Sequence, residues 1–129
     1  MIPRPTSDTL AKGEKGRVVD IKLRRAGNGI IIDLAGALKL GEAELAFREH
    51  VHQLVDSGEL HVAVNLAGVT ELDSSGIGAL VRAFTLLKQA GGKCTYFAAP
   101  RRVQLILKTV RLDSVLAVAA DEDAALARM

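Results

Sequence analysis

The sequence predicts an α/β domain built on a small mixed sheet. Strand-like and helix-like segments alternate along the 129 residues in the order β-β-α-β-α-β-α-β-α. The first two strands have the alternating pattern of a hairpin, whereas a later one is a short, nearly continuous apolar run typical of a strand buried on both faces. Helices between such strands favour parallel strand pairs with the helices packed on the sheet. The length favours one domain with one core.

The chain is expected to begin with a tail and a hairpin. Residues 1–16 mix Pro, Gly, Lys and hydroxyl residues without periodicity, which is typical of a flexible N-terminal tail. Apolar and polar residues then alternate over 17–26, which predicts a half-buried strand. The turn sequence GNG at 27–29 leads into a second strand over 30–36. The domain itself is expected to span residues 17–129.

The remaining segments alternate between helix and strand. The helices are indicated by apolar spacings of three and four, by Gly or Pro near an end, or by acidic residues in the first turn. We expect strands over 61–66, 93–99 and 115–120, and helices over 42–56, 75–89, 100–110 and 121–129.

The composition argues against several classes of function. Apolar residues make up 49% of the chain but aromatic residues only 3%, so Val, Leu, Ile and Ala must build the core. The net charge of +2 is spread along the chain and stacking aromatics are scarce, which argues against a nucleic-acid interface. No apolar segment suits a signal peptide or a membrane span, so we expect a cytoplasmic protein with no membrane insertion. The single Cys94 is expected to be a buried strand residue.

The segment LDSSGIG, residues 72–78, joins a predicted strand to a long predicted helix. Asp73 or Ser74 is a suitable N-cap, because its side-chain oxygen can accept a free N–H of the first turn. Gly76 and Gly78 each cost about 0.5–1 kcal/mol relative to Ala in a helix, which indicates close packing or access by another molecule. A helix N-terminus also favours an anion, so a phosphoryl group would be accommodated there. These arguments do not distinguish the two serines.

The predicted helix and the segment after it are basic. Residues 74–112 contain no Asp or Glu, and their basic residues form either a solvated face or the surroundings of an anion. These residues are Arg82, Lys88, Lys93, Arg101, Arg102, Lys108 and Arg111.

Two apolar stripes follow from the helical repeat of the same segment. The predicted core face consists of Ile77, Leu80, Val81, Phe84 and Leu87. The second stripe consists of Ala79, Ala83, Leu86 and Ala90. The second stripe either packs against a neighbouring helix or is open to a partner.

The sequence contains no catalytic constellation that we can assemble. GIGALV resembles a dinucleotide-binding loop, but Val81 stands where the third Gly is required. The G-x-S-x-G elbow of a serine hydrolase is absent. His50 and His52 are two residues apart on a helix and do not face each other as a metal pair would, and with His61 they are interpreted as structural or exposed. We expect no enzyme activity, no cofactor and no metal.

Residues 60–116 resemble the STAS domain, most closely the stand-alone anti-sigma factor antagonists of bacteria. The resemblance is carried by a buried strand, by Asp-Ser-Ser-Gly-x-Gly, by a helix that ends in Gly-Gly, and by a further helix that Pro100 begins. It extends less strongly over residues 18–126. It implies a small mixed sheet of about four to five strands with helices mainly on one side.

The resemblance also implies partner switching. An unmodified antagonist binds an anti-sigma factor that is also a serine kinase, and phosphorylation of the serine after the Asp, here Ser74, releases it until a serine phosphatase reverses the change. Asp73 would orient Ser74, while Ser75, Gly76 and Gly78 support the site. The surface implied for the partner consists of Ala79, Arg82, Ala83 and Leu86.

One position departs from the family pattern. Family members often have an acid shortly after the second strand, where this sequence has Lys39. The alternative function within the family is a STAS subunit of a lipid-transport ATPase complex or of a stressosome-type scaffold. Its helix stripe would then be a constitutive protein interface without phosphorylation.

Overall fold

The computed structural model of the protein describes residues 8–10 and 19–129. These residues form one six-stranded mixed sheet with the strands in chain order. The strands are β1 (Asp8–Leu10), β2 (Asp20–Ala26), β3 (Gly29–Leu38), β4 (His61–Leu72), β5 (Lys93–Phe97) and β6 (Val118–Ala119). The helices are α1 (Glu42–Asp56), α2 (Ser74–Gln89), α3 (Arg101–Thr109) and α4 (Glu122–Leu126). The predicted α/β class is confirmed, as is the predicted element order from β2 onward. The sheet has six strands rather than the expected four to five, because β1 adds an edge strand before the hairpin.

The sheet changes from antiparallel to parallel at β3. β1, β2 and β3 pair antiparallel, and the turn of the β2–β3 hairpin carries Gly27 at a φ of 60°. From β3 onward all pairs are parallel, and α1, α2 and α3 make the crossovers between them. The carboxyl ends of β3 and β4 therefore meet at one edge of the sheet, where α1 and α2 begin.

Three helices cover one face of the sheet and one covers the other, which confirms the prediction of helices mainly on one side. The larger core lies under α1, α2 and α3 and includes Phe47, Leu80 and Leu107. The smaller core lies under α4 and includes Phe97 and Ala125. Among the described residues, no helix is both long and apolar enough to cross a membrane.

Arg24 links α4 to the sheet. Its Nε donates to Asp33 Oδ2 at 2.7 Å and its Nη2 donates to Glu122 Oε1 at 2.9 Å, while Asn65 donates to the other oxygen of Asp33 at 2.8 Å. Partial burial raises the pKa of Asp33, but the hydrogen bonds from Arg24 and Asn65 outweigh it and hold that pKa below its ordinary value. The charges thus fix the short C-terminal helix over the second face.

The predicted flexible tail is wrong for residues 8–10, which form the edge strand β1. β1 pairs with β2 from Asp8↔Lys22 to Leu10↔Asp20. Three residues are too few for a visible alternation, and their pairing is provided by the open edge of β2 rather than by their own composition. The rest of the predicted tail, residues 1–7 and 11–16, lies outside the described residues, as do residues 17 and 18.

The largest differences from the predicted strand lengths are at β4 and β6. β4 continues six residues beyond the predicted end because its later half still pairs with β3, up to Leu38↔Leu72. The register shifts within this pair, which explains why the later half lacks a simple apolar pattern. β6 is only Val118–Ala119, because it pairs with β5 at two positions alone.

Cys94 and Tyr96 occupy the inner face of β5. Cys94 is buried as predicted, and burial raises the pKa of its thiol to about 12, so it remains a neutral core residue. Tyr96 is fully buried, and its hydroxyl donates to the Leu80 carbonyl in the middle of α2 at 2.6 Å. This bond fixes α2 to the sheet at its centre.

Replacing Tyr96 with Phe tests this attachment. We expect Tyr96→Phe to lower the free energy of unfolding by about 1–2 kcal/mol, because a buried hydrogen bond is lost while the ring still fills its space. Urea unfolding measures the change. Thr109→Val is the control, since it removes an exposed hydroxyl that also bonds a helix carbonyl, that of Leu105. An equal loss in both variants would contradict a special role for the buried bond.

Candidate functional site

Asp73 connects the start of α2 to the segment that leads into α1. Its Oδ1 accepts from the Gly76 N–H at 2.8 Å, which is the N-cap bond of α2. Its Oδ2 accepts from the Leu40 N–H at 3.0 Å. One carboxylate therefore satisfies a free donor of the helix and a donor of the neighbouring connection.

The charge of Asp73 is stabilised by these backbone donors. The Leu40 N–H is the largest influence that lowers the pKa of Asp73, and the Gly76 and Ser75 N–H groups and the cation of Lys39 act in the same direction. The family resemblance implied that Asp73 orients Ser74. The hydrogen bonds of the carboxylate instead go to the backbone on either side, so Asp73 positions the first turn that carries Ser74.

The two glycines of the motif have different surroundings. A Cβ at Gly76 would overlap with the carbonyl oxygen of Leu38 at the end of β3, so only glycine allows this close approach. A Cβ at Gly78 would meet only the flexible guanidinium of Arg82, at 3.4 Å or more. Close packing explains Gly76, whereas no contact with the part of the chain that the structure describes requires Gly78.

The two serines differ in exposure. Ser74, the first residue of α2, is exposed, and Ser75 is partly buried. Lys39 forms an exposed ion pair with Glu71 at 2.7 Å, and this contact raises the pKa of Lys39 and lowers that of Glu71. Position 39, where the family pattern often has an acid, thus presents a cation that is partly neutralised by β4.

The basic residues singled out in the sequence do not converge on Ser74. Lys88 lies 14 residues further along α2, which is roughly 20 Å away along the helix axis. Lys93 is the first residue of β5, at the end of the parallel strands opposite to Ser74, and donates to the Arg128 carbonyl. Arg102 does lie near the site, since it donates to the Thr70 carbonyl at the end of β4. The solvated-face interpretation therefore fits Lys88 and Lys93.

The division of α2 into two stripes is also corrected. Ala79 and Ala83 are 2% and 4% exposed and belong to the main core, whereas Ile77, Val81 and Phe84 are only partly buried. The buried face is rotated toward the alanines because α1 packs against α2 there and needs small residues for a close approach. Of the residues implied for the partner surface, Ala79 and Ala83 are therefore core residues.

Arg82 and Leu86 are the accessible residues of the surface implied for the partner. Arg82 is exposed and contacts Glu44 of α1 at 3.3 Å, and Leu86 is partly buried. Glu44 also contacts Arg48 at 3.2 Å. This charge cluster was not predicted, although the four-residue spacing of Glu44 and Arg48 on a helix is a recognisable signal. Leu40 was not predicted either, because it contributes a backbone N–H that no side-chain pattern reveals.

Residues 20–125 match the STAS domain family. Three solved structures illustrate the likeness, each under 25% identical, so they bear on the fold. An anti-sigma factor antagonist from Mycobacterium paratuberculosis is 16% identical with a TM-score of 0.74, over 88% of this chain and 95% of that one. The anti-sigma factor antagonist SpoIIAA in its unphosphorylated form is 20% identical with a TM-score of 0.70, over 84% and 94% of the two chains. The phosphorylated form of SpoIIAA, a Bacillus cell fate determinant, is 19% identical with a TM-score of 0.65, over 84% and 97%.

The fold and the site thus define a small α/β domain that exposes a serine at the start of a helix beside its sheet. The family match covers most of the chain, from the first residue of β2 into α4. The protein belongs to the STAS domain family.

The two glycines of the motif give a matched pair of variants. We expect Gly76→Ala to lower the free energy of unfolding by about 1–3 kcal/mol, because the new methyl group must displace the end of β3. Gly78→Ala should raise it by about 0.5–1 kcal/mol through better helix propensity. Urea unfolding measures both, and equal destabilisation by the two changes would contradict the difference in packing.

The depressed pKa of Asp73 predicts a pH-dependent contribution to stability. The carboxylate is favoured in the folded state, so its contribution is complete above the unfolded pKa near 3.8 and is lost as the pH falls through the lower folded value. Asp73→Asn keeps the shape but cannot accept from both donors at once. The difference in unfolding free energy between wild type and Asp73→Asn should therefore be largest above about pH 5 and shrink in acid. A difference independent of pH would contradict this origin.

Proposed function

We propose that this protein is a cytoplasmic anti-sigma factor antagonist that regulates transcription by partner switching. In its unmodified form it binds an anti-sigma factor serine kinase, and phosphorylation of Ser74 releases it. A serine phosphatase restores the binding form. In this scheme the protein is the substrate of the kinase and has no catalytic role. The proposal concerns activity and partners, which go beyond membership of the family.

The observation that carries the proposal is the position of Ser74. It is exposed on the first residue of α2, directly after Asp73, whose carboxylate is held by backbone N–H groups on both sides. A kinase must bring a hydroxyl within reach of its phosphate donor, and an exposed helix start that is fixed in place suits this need. Ser75 is partly buried and less suited to the transfer.

The electrostatics of the site support release by phosphorylation. A phosphoryl group adds about −1.5 to −2 charges at neutral pH. A phosphoryl group on Ser74 would lie beside the ionised carboxylate of Asp73. A second acid, Glu71, lies two residues before Asp73 in the chain. The start of α2 and the cation of Lys39 favour the added charge within the free protein. Covering the same charge with a kinase surface requires its desolvation, so the binding equilibrium shifts toward the free state.

The solved relatives are consistent with this scheme. A protein of the same fold, described as an anti-sigma factor antagonist, has been solved in phosphorylated and unphosphorylated forms. We propose that Arg82 and Leu86 contribute to the kinase contact, since they are the accessible members of the implied surface. The cation at Lys39 predicts an acidic counterpart on the kinase where other family members would require a basic one.

The alternative is a constitutive subunit of a lipid-transport ATPase complex or of a stressosome-type scaffold. The close packing of Ala79 and Ala83 against α1 removes half of the four-residue stripe that such an interface would use. The partner-switching proposal depends less on that stripe, because its site is the exposed start of α2.

The first test uses Ser74→Ala and Ser74→Asp proteins as parallel baits in host lysate, followed by affinity measurement with the purified partner. We expect the Ala protein to hold a serine kinase and the Asp protein to bind it at least about tenfold more weakly, because the added charge must be desolvated. The purified kinase should phosphorylate the wild type, and mass spectrometry should locate the phosphate on Ser74.

The matched control is the neighbouring serine. Ser75→Ala should still be phosphorylated, whereas Ser74→Ala should not. Transport or scaffold proteins held equally by both baits would contradict partner switching and favour the alternative. A phosphate found on Ser75 would contradict the assignment of Ser74.

A further inference from the structure

A groove between α1 and α2 lies apart from Ser74 and shares Arg82 and Leu86 with the proposed kinase contact. Its volume is about 310 Å³ and its wall is mainly apolar. Residues that line it include Arg48, Val51, Ala79, Arg82, Ala83 and Leu86. Its floor is formed by Ala79 and Ala83, which are buried, and its accessible wall includes the partly buried Leu86 and the exposed Thr85.

The charges at this groove are unbalanced. Its lining contains Arg48 and Arg82 but no acidic residue. Both guanidinium groups contact the same carboxylate, that of Glu44, which lies almost entirely buried behind them. Two cations and one anion leave one positive charge over. The Nε of Arg48 is buried against Glu44, so any donor that this cluster offers to the groove comes from the outer guanidinium nitrogens of the two arginines.

The size of the groove favours a small molecule over a protein surface. Pockets for small ligands begin at about 300 Å³, whereas a stable protein interface requires roughly 800 Å² on each partner. An apolar wall suits an alkyl chain, and guanidinium groups pair well with carboxylates because two N–H groups can donate in parallel. A ligand with a carboxylate at the end of an alkyl chain has both of these groups.

We propose that the groove binds a fatty acid. The carboxylate lies at Arg48 and Arg82 and takes up the surplus positive charge, and the alkyl chain lies along Leu86, above the buried Ala79 and Ala83. This site goes beyond the proposed switch at Ser74, and the isolated protein suffices to test it. Failure of one proposal therefore leaves the other intact.

The test is a titration of decanoate into isotopically labelled protein, followed by the amide chemical shifts. We expect saturable shifts confined to α1 and α2, and at least about tenfold weaker binding of decanol and of decylamine, which lack the negative charge. Arg82→Gln should weaken decanoate binding by about tenfold or more, because a charged hydrogen bond is lost. Arg101→Gln is the control for removal of a cation elsewhere and should leave the affinity unchanged.

A second variant tests the location of the alkyl chain without disturbing the core. Thr85 is exposed at the groove, so Thr85→Trp should fill its mouth and abolish binding while the protein stays folded. Thr109→Trp places the same bulk on the exposed side of α3 and should bind as the wild type does. The absence of saturable shifts, equal binding of all three probes, or undiminished binding by Thr85→Trp would each overturn the proposal.

Discussion

The carboxylate of Asp73 is the interaction on which the arrangement of the candidate site depends. Its two oxygens join the first turn of α2 to the backbone at Leu40, so two successive crossovers of the parallel sheet are tied together where they leave it. This bond requires that α2 approach β3 closely, and Gly76 allows that approach by leaving space for the Leu38 carbonyl. A capping residue and a glycine therefore position Ser74 without touching its hydroxyl.

The packing of α2 separates its structural from its accessible residues. Its centre is held by the bond from Tyr96 to Leu80, and its alanines are covered by α1. Its accessible residues include the exposed serine at the start of the helix and, two turns on, Arg82 beside the α1–α2 groove. A phosphoryl group and a bound carboxylate would thus act on the same helix at different places, each without displacing the core.

Much of the fold follows from local pattern, because strands and helices in this chain carry their own apolar repeats and end signals. The start of α2 was predictable to within a residue, since capping by Asp73 is a short-range effect. The pairing of β1 was not, because three residues carry no pattern and the partner strand decides the outcome. The orientation of α2 was misjudged for a related reason: Ala79 and Ala83 have little hydrophobicity of their own, and the close approach of α1 decides that they are buried. The contact of Asp73 with Leu40 also lies beyond sequence analysis, since it joins a side chain to a backbone group 33 residues away.

If the proposed partner switch operates, the exposed ion pair of Lys39 and Glu71 bears on how related proteins avoid each other's kinases within one cell. Both side chains are about half exposed, so their identity contributes little to the core and is free to change. A duplicated copy that reversed these two charges would keep the same fold and the same serine, yet present the opposite field to a kinase. Two related antagonists could then bind different kinases through a change of exposed charges alone, without any change in the core of the domain.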